Sequence, residues 1–155
     1  MKHNKFRNLA VLIICTIIMM ACGTQSATTT LADGVSVFNY KHIAFGSKSE
    51  GSAELSDIIL SVENELSRRF NVVDENEVNN LLSIGTQVLT PSIDVTSEKW
   101  NGGHTYIIIS LKDLKSGKIV AVVKSSGIGM SIEEDQKRAL NAITKELDSN
   151  FPRMR

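Results

Sequence analysis

From Leu9 to Ala21 the chain runs for thirteen residues, LAVLIICTIIMMA, without a charge, directly after a segment carrying Lys2, Lys5 and Arg7. Such a run is too short to span a bilayer, which takes about 20 apolar residues in a helix. It does not make a soluble helix either, because it has no polar face and would expose Ile and Met all round. A basic segment followed by an apolar stretch of this length has the organisation of a secretory signal. Residues 1–21 are therefore read as a signal peptide, and the folding unit is built from the residues after Ala21. Setting the signal aside changes the charge. The whole chain balances 17 basic against 17 acidic residues, yet no acid precedes Asp33, so the remainder keeps 14 basic and 17 acidic residues, net −3. That charge offers no basic footprint for nucleic acid, whose binding rests on clustered Lys and Arg against phosphate.

The run closes on Met19-Met20-Ala21-Cys22-Gly23. This segment resembles the lipobox of bacterial lipoprotein precursors, with Met19 where that family most often has Leu. The resemblance implies cleavage before Cys22, acylation of Cys22 as the new N-terminus, and membrane attachment through its lipid. Several acyl tails, at about 0.8 kcal/mol per buried methylene, hold where one tail would be marginal. Cysteine usage agrees: Cys15 leaves with the signal, so Cys22 is the single remaining thiol and has no partner for an intramolecular disulfide. Gly23 stands where enteric lipoproteins kept at the inner membrane carry Asp, which points to the outer membrane, facing the periplasm. Residues 22–33 then read as the lipidated Cys and a flexible tether that holds the domain on the order of 20 Å from the bilayer.

Residues 34–152 read as one α/β (α+β) domain with a mixed sheet of four to five strands and three helices, in the order β-α-β-α-β-β-β-α. The segment 35–45, rich in β-branched and aromatic residues, predicts the first strand. Leu55, Ile58, Ile59, Val62, Leu66 and Phe70 recur at helical spacing behind Ser52 as the expected cap. A short strand at 70–73 leads to Asp74 and Glu77, which have capping-box spacing, and to a short helix with Val78, Leu81 and Leu82 inward and Gly85 at its end. Pro91 demotes 86–96 to an edge strand or two pieces. Residues 104–114 and 118–124 alternate around Lys115-Ser116-Gly117 and should pair as a hairpin. Ser131 and Glu134 open a last helix whose stripe runs from Ile132 to Phe151, where Pro152 closes it.

Glu65-Leu66-Ser67-Arg68-Arg69 followed by Phe70-Asn71-Val72-Val73-Asp74, then Val78 and Leu81-Leu82, is similar to a pattern in envelope proteins related to the curli secretion lipoprotein CsgG, the penicillin-binding-protein activator LpoB and the N-terminal domain of TolB. Asp113 to Gly117 between two strands and the helix from Ile132 also resemble that group. Small lipoproteins ending strand, strand, helix with Phe-Pro, as in Phe151-Pro152, are a second resemblance. These families share architecture and compartment rather than one activity. The chain is too short for the barrel-forming insertions of CsgG.

The residues themselves point away from catalysis. A nucleophilic hydrolase needs Ser or Cys with a positioned His and an orienting third group, and beyond residue 21 only His42 and His104 remain, neither in a recognisable setting. The same two His with Asp94 or Asp113 are a bare compositional option for a metal. Glu50, Glu54, Asp57, Glu133, Glu134 and Asp135 fall at helix starts, where capping accounts for them, although paired carboxylates would suit a glycosidase. Gly127-Ile128-Gly129 before the last helix has the outline of a weak anion nest. Trp100, beside two glycines, is the candidate partner contact. The expectation is a non-enzymatic lipoprotein without metal or cofactor, serving as a binding or accessory module for an envelope protein or wall component. The alternatives are a small carboxylate hydrolase and a self-associating structural lipoprotein.

Overall fold

The computed structural model describes residues 23–46, 53–98, 103–151 and 153, with the backbone alone at 53 and 54. The signal segment, Cys22, the expected cap Ser52 and Trp100 lie outside the described residues. Among those described, β1 (Gln25–Leu31), β2 (His42–Ile43), β3 (Asn71–Val72), β4 (Val88–Ser97), β5 (His104–Asp113) and β6 (Ile119–Ile128) form one mixed sheet, joined by α1 (Ala53–Ser67), α2 (Glu75–Ser83) and α3 (Ile132–Asn150). The sheet order is β1-β6-β5-β4-β2-β3. Pairing is antiparallel from β1 to β4 and parallel from β4 through β2 to β3. The chain is thus α/β, with six strands where four to five were expected.

The additional strand is β1. Residues 25–31, expected to be tether, pair along their whole length with β6, Gln25 opposite Gly127 and Leu31 opposite Ala121. Thr28, Thr29 and Thr30 are β-branched and suit a pleated edge, and only Ala27 and Thr29 of the strand are half-buried. An edge strand needs so little apolar surface that its polarity hid it. The segment 35–45 departs in the opposite sense. It carries the chain from β1 to the far side of the sheet as a 3₁₀ turn (Val37–Asn39) and pairs only at His42–Ile43. Val37, Tyr40 and Ile43, each three residues apart, are the side chains it drives into the core.

The expected hairpin is present, with Ile107, Ile109 and Leu111 of β5 opposite Ser125, Val123 and Ala121 of β6. A bulge between Leu111 and Lys112 shifts the register, so Ile119 turns outward while Val120 is buried. Pro91 lies within a continuous ten-residue β4. Because β2 meets β4 only at Val88 and Leu89, the rest of β4 has a free outer edge, the setting to which strand prolines are confined.

Both long helices cover one face. Ile58, Val62 and Leu66 of α1 and Ala139, Ile143 and Leu147 of α3 share a single core with Leu89, Ile107, Ile109, Leu111 and Val123. Each fully buried Leu or Ile contributes about 1.5–3 kcal/mol. Phe70 meets Phe151 edge to face at 6.2 Å, which pins the end of α3 to the turn after α1. The short α2 buries none of its side chains fully, so Val78, Leu81 and Leu82 are half-covered rather than core. Its cap is as expected: the Glu77 amide donates to Asp74 Oδ1 at 2.9 Å, and Gly85 takes φ +81 beyond its end. Neither α1 nor α3 covers the second sheet face, where Asp94 of β4 and Lys124 of β6 are exposed and Thr90, Ser92, Ile108, Ser110 and Val122 are half-buried.

Candidate functional site

The register assigns His42, His104, Asp113 and Gly127 to one of two sheet ends. At the first end lie the start of β1, the end of β6 and the start of β5: Gln25 opposite Gly127 and His104 opposite Ile128. At the other end lie Leu31, Ile119, Asp113 and β2 with His42. Ten-residue strands separate these ends by about 30 Å, so His42 and His104 do not share a site. His104 instead sits 3.2 Å from Glu98 Oε2 and 5.8 Å from the Tyr106 ring. The two-His metal option is therefore withdrawn.

The acids at the start of α3 are engaged locally. Ser131 Oγ accepts from the Glu134 amide at 3.2 Å, and Glu134 reaches back to the Met130 amide at 3.0 Å. That backbone donor, followed by the Arg138 guanidinium, holds the Glu134 carboxyl below the ordinary carboxylate range. Asp135 is buried and accepts from the Gly129 amide. The two amides that would line an anion nest are thus occupied by the chain's own carboxylates. Gly127 has a different reason to be glycine: a Cβ there would overlap the Asp135 carbonyl oxygen and the Ala139 nitrogen of α3. Beside it, the buried Ser125 hydroxyl donates to the Ala139 carbonyl at 2.9 Å. Both residues let α3 lie directly on β6.

At the other end Asp113 closes the β5–β6 turn. It accepts from the Ser116 amide at 2.7 Å and hydroxyl at 2.6 Å, and from the buried Tyr40 hydroxyl. Burial pushes the Asp113 carboxyl up, but the Ser116 and Tyr40 donors outweigh it and leave it below its ordinary value of 3.8. Burial first, then the Asp113 charge, raise the Tyr40 hydroxyl above 10.0. This is a turn lock tying the 3₁₀ crossover to the hairpin. Because the folded carboxyl is depressed, its stabilisation is present above the unfolded pKa and lost as pH falls through the folded one. Asp113→Asn is expected to cost about 1–2 kcal/mol at neutral pH, and the gap to the parent should shrink on acidification. Urea midpoints of both proteins between about pH 6 and pH 3 check this.

The sequence reading missed what surrounds this lock. Leu31 is 48% exposed, Ile119 49% and Phe38 73%. The available signal was Phe38 itself, one residue from Val37 in a segment where only one of two adjacent apolar side chains can face a core. Among the described residues a shallow groove of about 220 Å³ lies between β1 and α3, lined in part by Gln25, Ala27, Ala142, Lys145, Glu146 and Ser149. It lacks convergent unpaired polar groups of the kind a small-molecule site needs.

No protein-family model and no curated protein sequence matches the chain. Among solved structures, a variant PelC dodecamer from Paraburkholderia phytofirmans is similar, at 16% identity over 84% of this chain and 100% of that one, with a TM-score of 0.53. A PDZ domain protein from Parabacteroides distasonis ATCC 8503 is similar at 14% identity over 90% of this chain and 39% of that one, with a TM-score of 0.51. At these identities the likeness is one of fold.

Proposed function

We propose that this chain is a non-enzymatic lipoprotein of the cell envelope, acylated on Cys22, in the outer membrane and facing the periplasm, that docks an envelope protein. What supports this reading is exposed apolar surface toward the end of the sheet opposite Gly23. Phe38, Leu31 and Ile119 leave large apolar surface in water beside the rigid Asp113 turn. Exposed apolar clusters on a fixed frame are the usual mark of a protein interface. The test is a photo-crosslinking residue at position 38 of the full chain in its own envelope. One defined adduct, lost when Ile119 is replaced by Ser, is expected; no adduct at 38, or the same adduct from Asp57 on α1, sinks the reading.

A second reading, self-association, is favoured by the outer edge of β1 and by the dodecameric state of the PelC neighbour. β1 is seven residues long, Gln25–Leu31, with no charge, proline or bulge, the devices that usually blunt an edge. If copies pair there, Thr29→Pro removes one outward-facing donor from the edge and lowers the sedimentation coefficient to that of a monomer, while the parent's coefficient rises with concentration.

A further inference from the structure

We infer that the loop between β6 and α3, Gly129 to Ile132, rests on the bilayer with the Met130 side chain in its interfacial layer. This rests on acylation of Cys22, and it assigns the face of the domain that the lipid draws down. The reason is that the expected tether does not exist. The Ile128 amide donates to the Thr24 carbonyl at 2.8 Å, and Arg138 Nη1 donates to the Gly23 carbonyl at 3.0 Å. A side chain at position 23 would overlap the Ile128 carbonyl and the Arg138 guanidinium. Backbone held against β6 and α3 therefore begins one residue after Cys22, and neighbouring Cα atoms are about 3.8 Å apart. Lipid at residue 22 reaches a bilayer only if this end of the domain lies within several ångströms of it.

The side chains at this end suit that position. Met130 is 83% exposed, the largest exposure among the described large apolar residues, and Ile132 is 41% exposed. They are not loose: the Gly129 amide is bound by Asp135 and the Met130 amide by Glu134, so the backbone itself aims Met130 outward. Apolar Met and Ile, on a turn a few ångströms from an acyl anchor, fit the headgroup and acyl boundary, where apolar faces sink about 5–10 Å. Glu134 is paired with Arg138 and Asp135 is buried, so the exposed charges beside this turn are Glu133 and Lys137, of opposite sign. The fitting surface is accordingly a zwitterionic bilayer rather than an anionic one.

The test uses the full, processed chain, purified from membranes and placed in phosphatidylcholine vesicles. An environment-sensitive fluorophore goes on Met130→Cys, on Ile132→Cys, or on Lys115→Cys in the remote β5–β6 turn. Nitroxide-labelled lipid should quench the label at 130 several-fold and at 132 less, and leave that at 115 unchanged. Equal, weak quenching at 130 and 115 in protein that carries the lipid mass and floats with vesicles overturns the seating alone. A chain without lipid mass that does not float overturns both the seating and the anchoring. A thiol at an 83% exposed position does not threaten folding, so a null result there is a result about the membrane.

Discussion

Gly127→Ala is expected to lower folding stability by about 3 kcal/mol, near the upper end for overpacked sites. The added methyl would meet α3 backbone, the Asp135 carbonyl oxygen and the Ala139 nitrogen, rather than the end of a side chain that can swing away. Relief requires α3 to lift from β6. That would stretch the Ser125 to Ala139 hydrogen bond and loosen Ile143 and Leu147, both fully buried. The matched control is Gly46→Ala, where a new Cβ meets nothing within 4 Å and φ is not positive; a change within about 0.5 kcal/mol is expected there. Urea unfolding followed by far-ultraviolet circular dichroism separates the two. Equal midpoints for Gly127→Ala and the parent would mean that α3 does not lie as close to the sheet as this geometry requires.

The elements that could be read in advance are those whose residues carry their own periodicity. α1 and α3 have stripes at helical spacing and acids in their first turns, and β5 and β6 alternate across a turn of three residues, so each announces its partner layer. The expected order β-α-β-α-β-β-β-α is roughly matched behind the added β1, with the first expected strand reduced to a 3₁₀ turn and His42–Ile43. What escaped reading depends on distant residues. β1 is a strand because β6 continues past Lys124 to Ile128 and offers it an edge, and nothing within 25–31 demands burial. Ile119 faces outward because of a bulge at Lys112, a register event set between two strands. Gly127 and Gly129 form the outline of a nest in the sequence, but helix packing and the carboxylates of α3 claim them. The candidate partner contact Trp100 lies outside the described residues; exposed large apolar groups that the structure does place stand at both sheet ends and also at Leu60, Val72 and Ile84.

Those ends give the domain a polarity that stems from the single finding that β1 starts at residue 25. With a free tether, an anchored domain would tumble and present every face in turn. With Gly23 and Thr24 held, an anchor at residue 22 would limit rotation, and the strands run from the Gly23 end toward Leu31 and Ile119. The proposed docking end then stands about 30 Å from the proposed seating end, the length of the central strands. Disrupting one end should leave the other intact, because no residue is shared between them.

The largest expected loss is at the junction of α1 and α3. Arg69 has a fully buried side chain, with Nη1 on Glu65 Oε2 at 2.7 Å and Nη2 on Asp148. Arg68 Nη1 lies 2.7 Å from Glu65 Oε1, and Arg153 lies 3.7 Å from Glu65 and 3.3 Å from Asp148. Three guanidinium groups thus converge on two carboxylates, and only Arg69 lacks water to fall back on. Glu65→Ala leaves that buried cation facing two others with Asp148 as its remaining counter-ion, and is expected to cost about 3–5 kcal/mol. Asp148→Ala acts on a half-exposed acid and leaves Arg69 its Glu65 contacts, so about 1 kcal/mol or less is expected. Arg69→Met, which keeps the aliphatic stem and removes the charge, should fall between the two, because the site then holds no stranded cation. The order of loss is therefore Glu65→Ala, then Arg69→Met, then Asp148→Ala, as read from thermal midpoints at fixed pH. If Arg69→Met proved the most damaging of the three, the contribution of Arg69 would be the packing of its stem, and the charge balance at this junction would not be what holds α1 to α3.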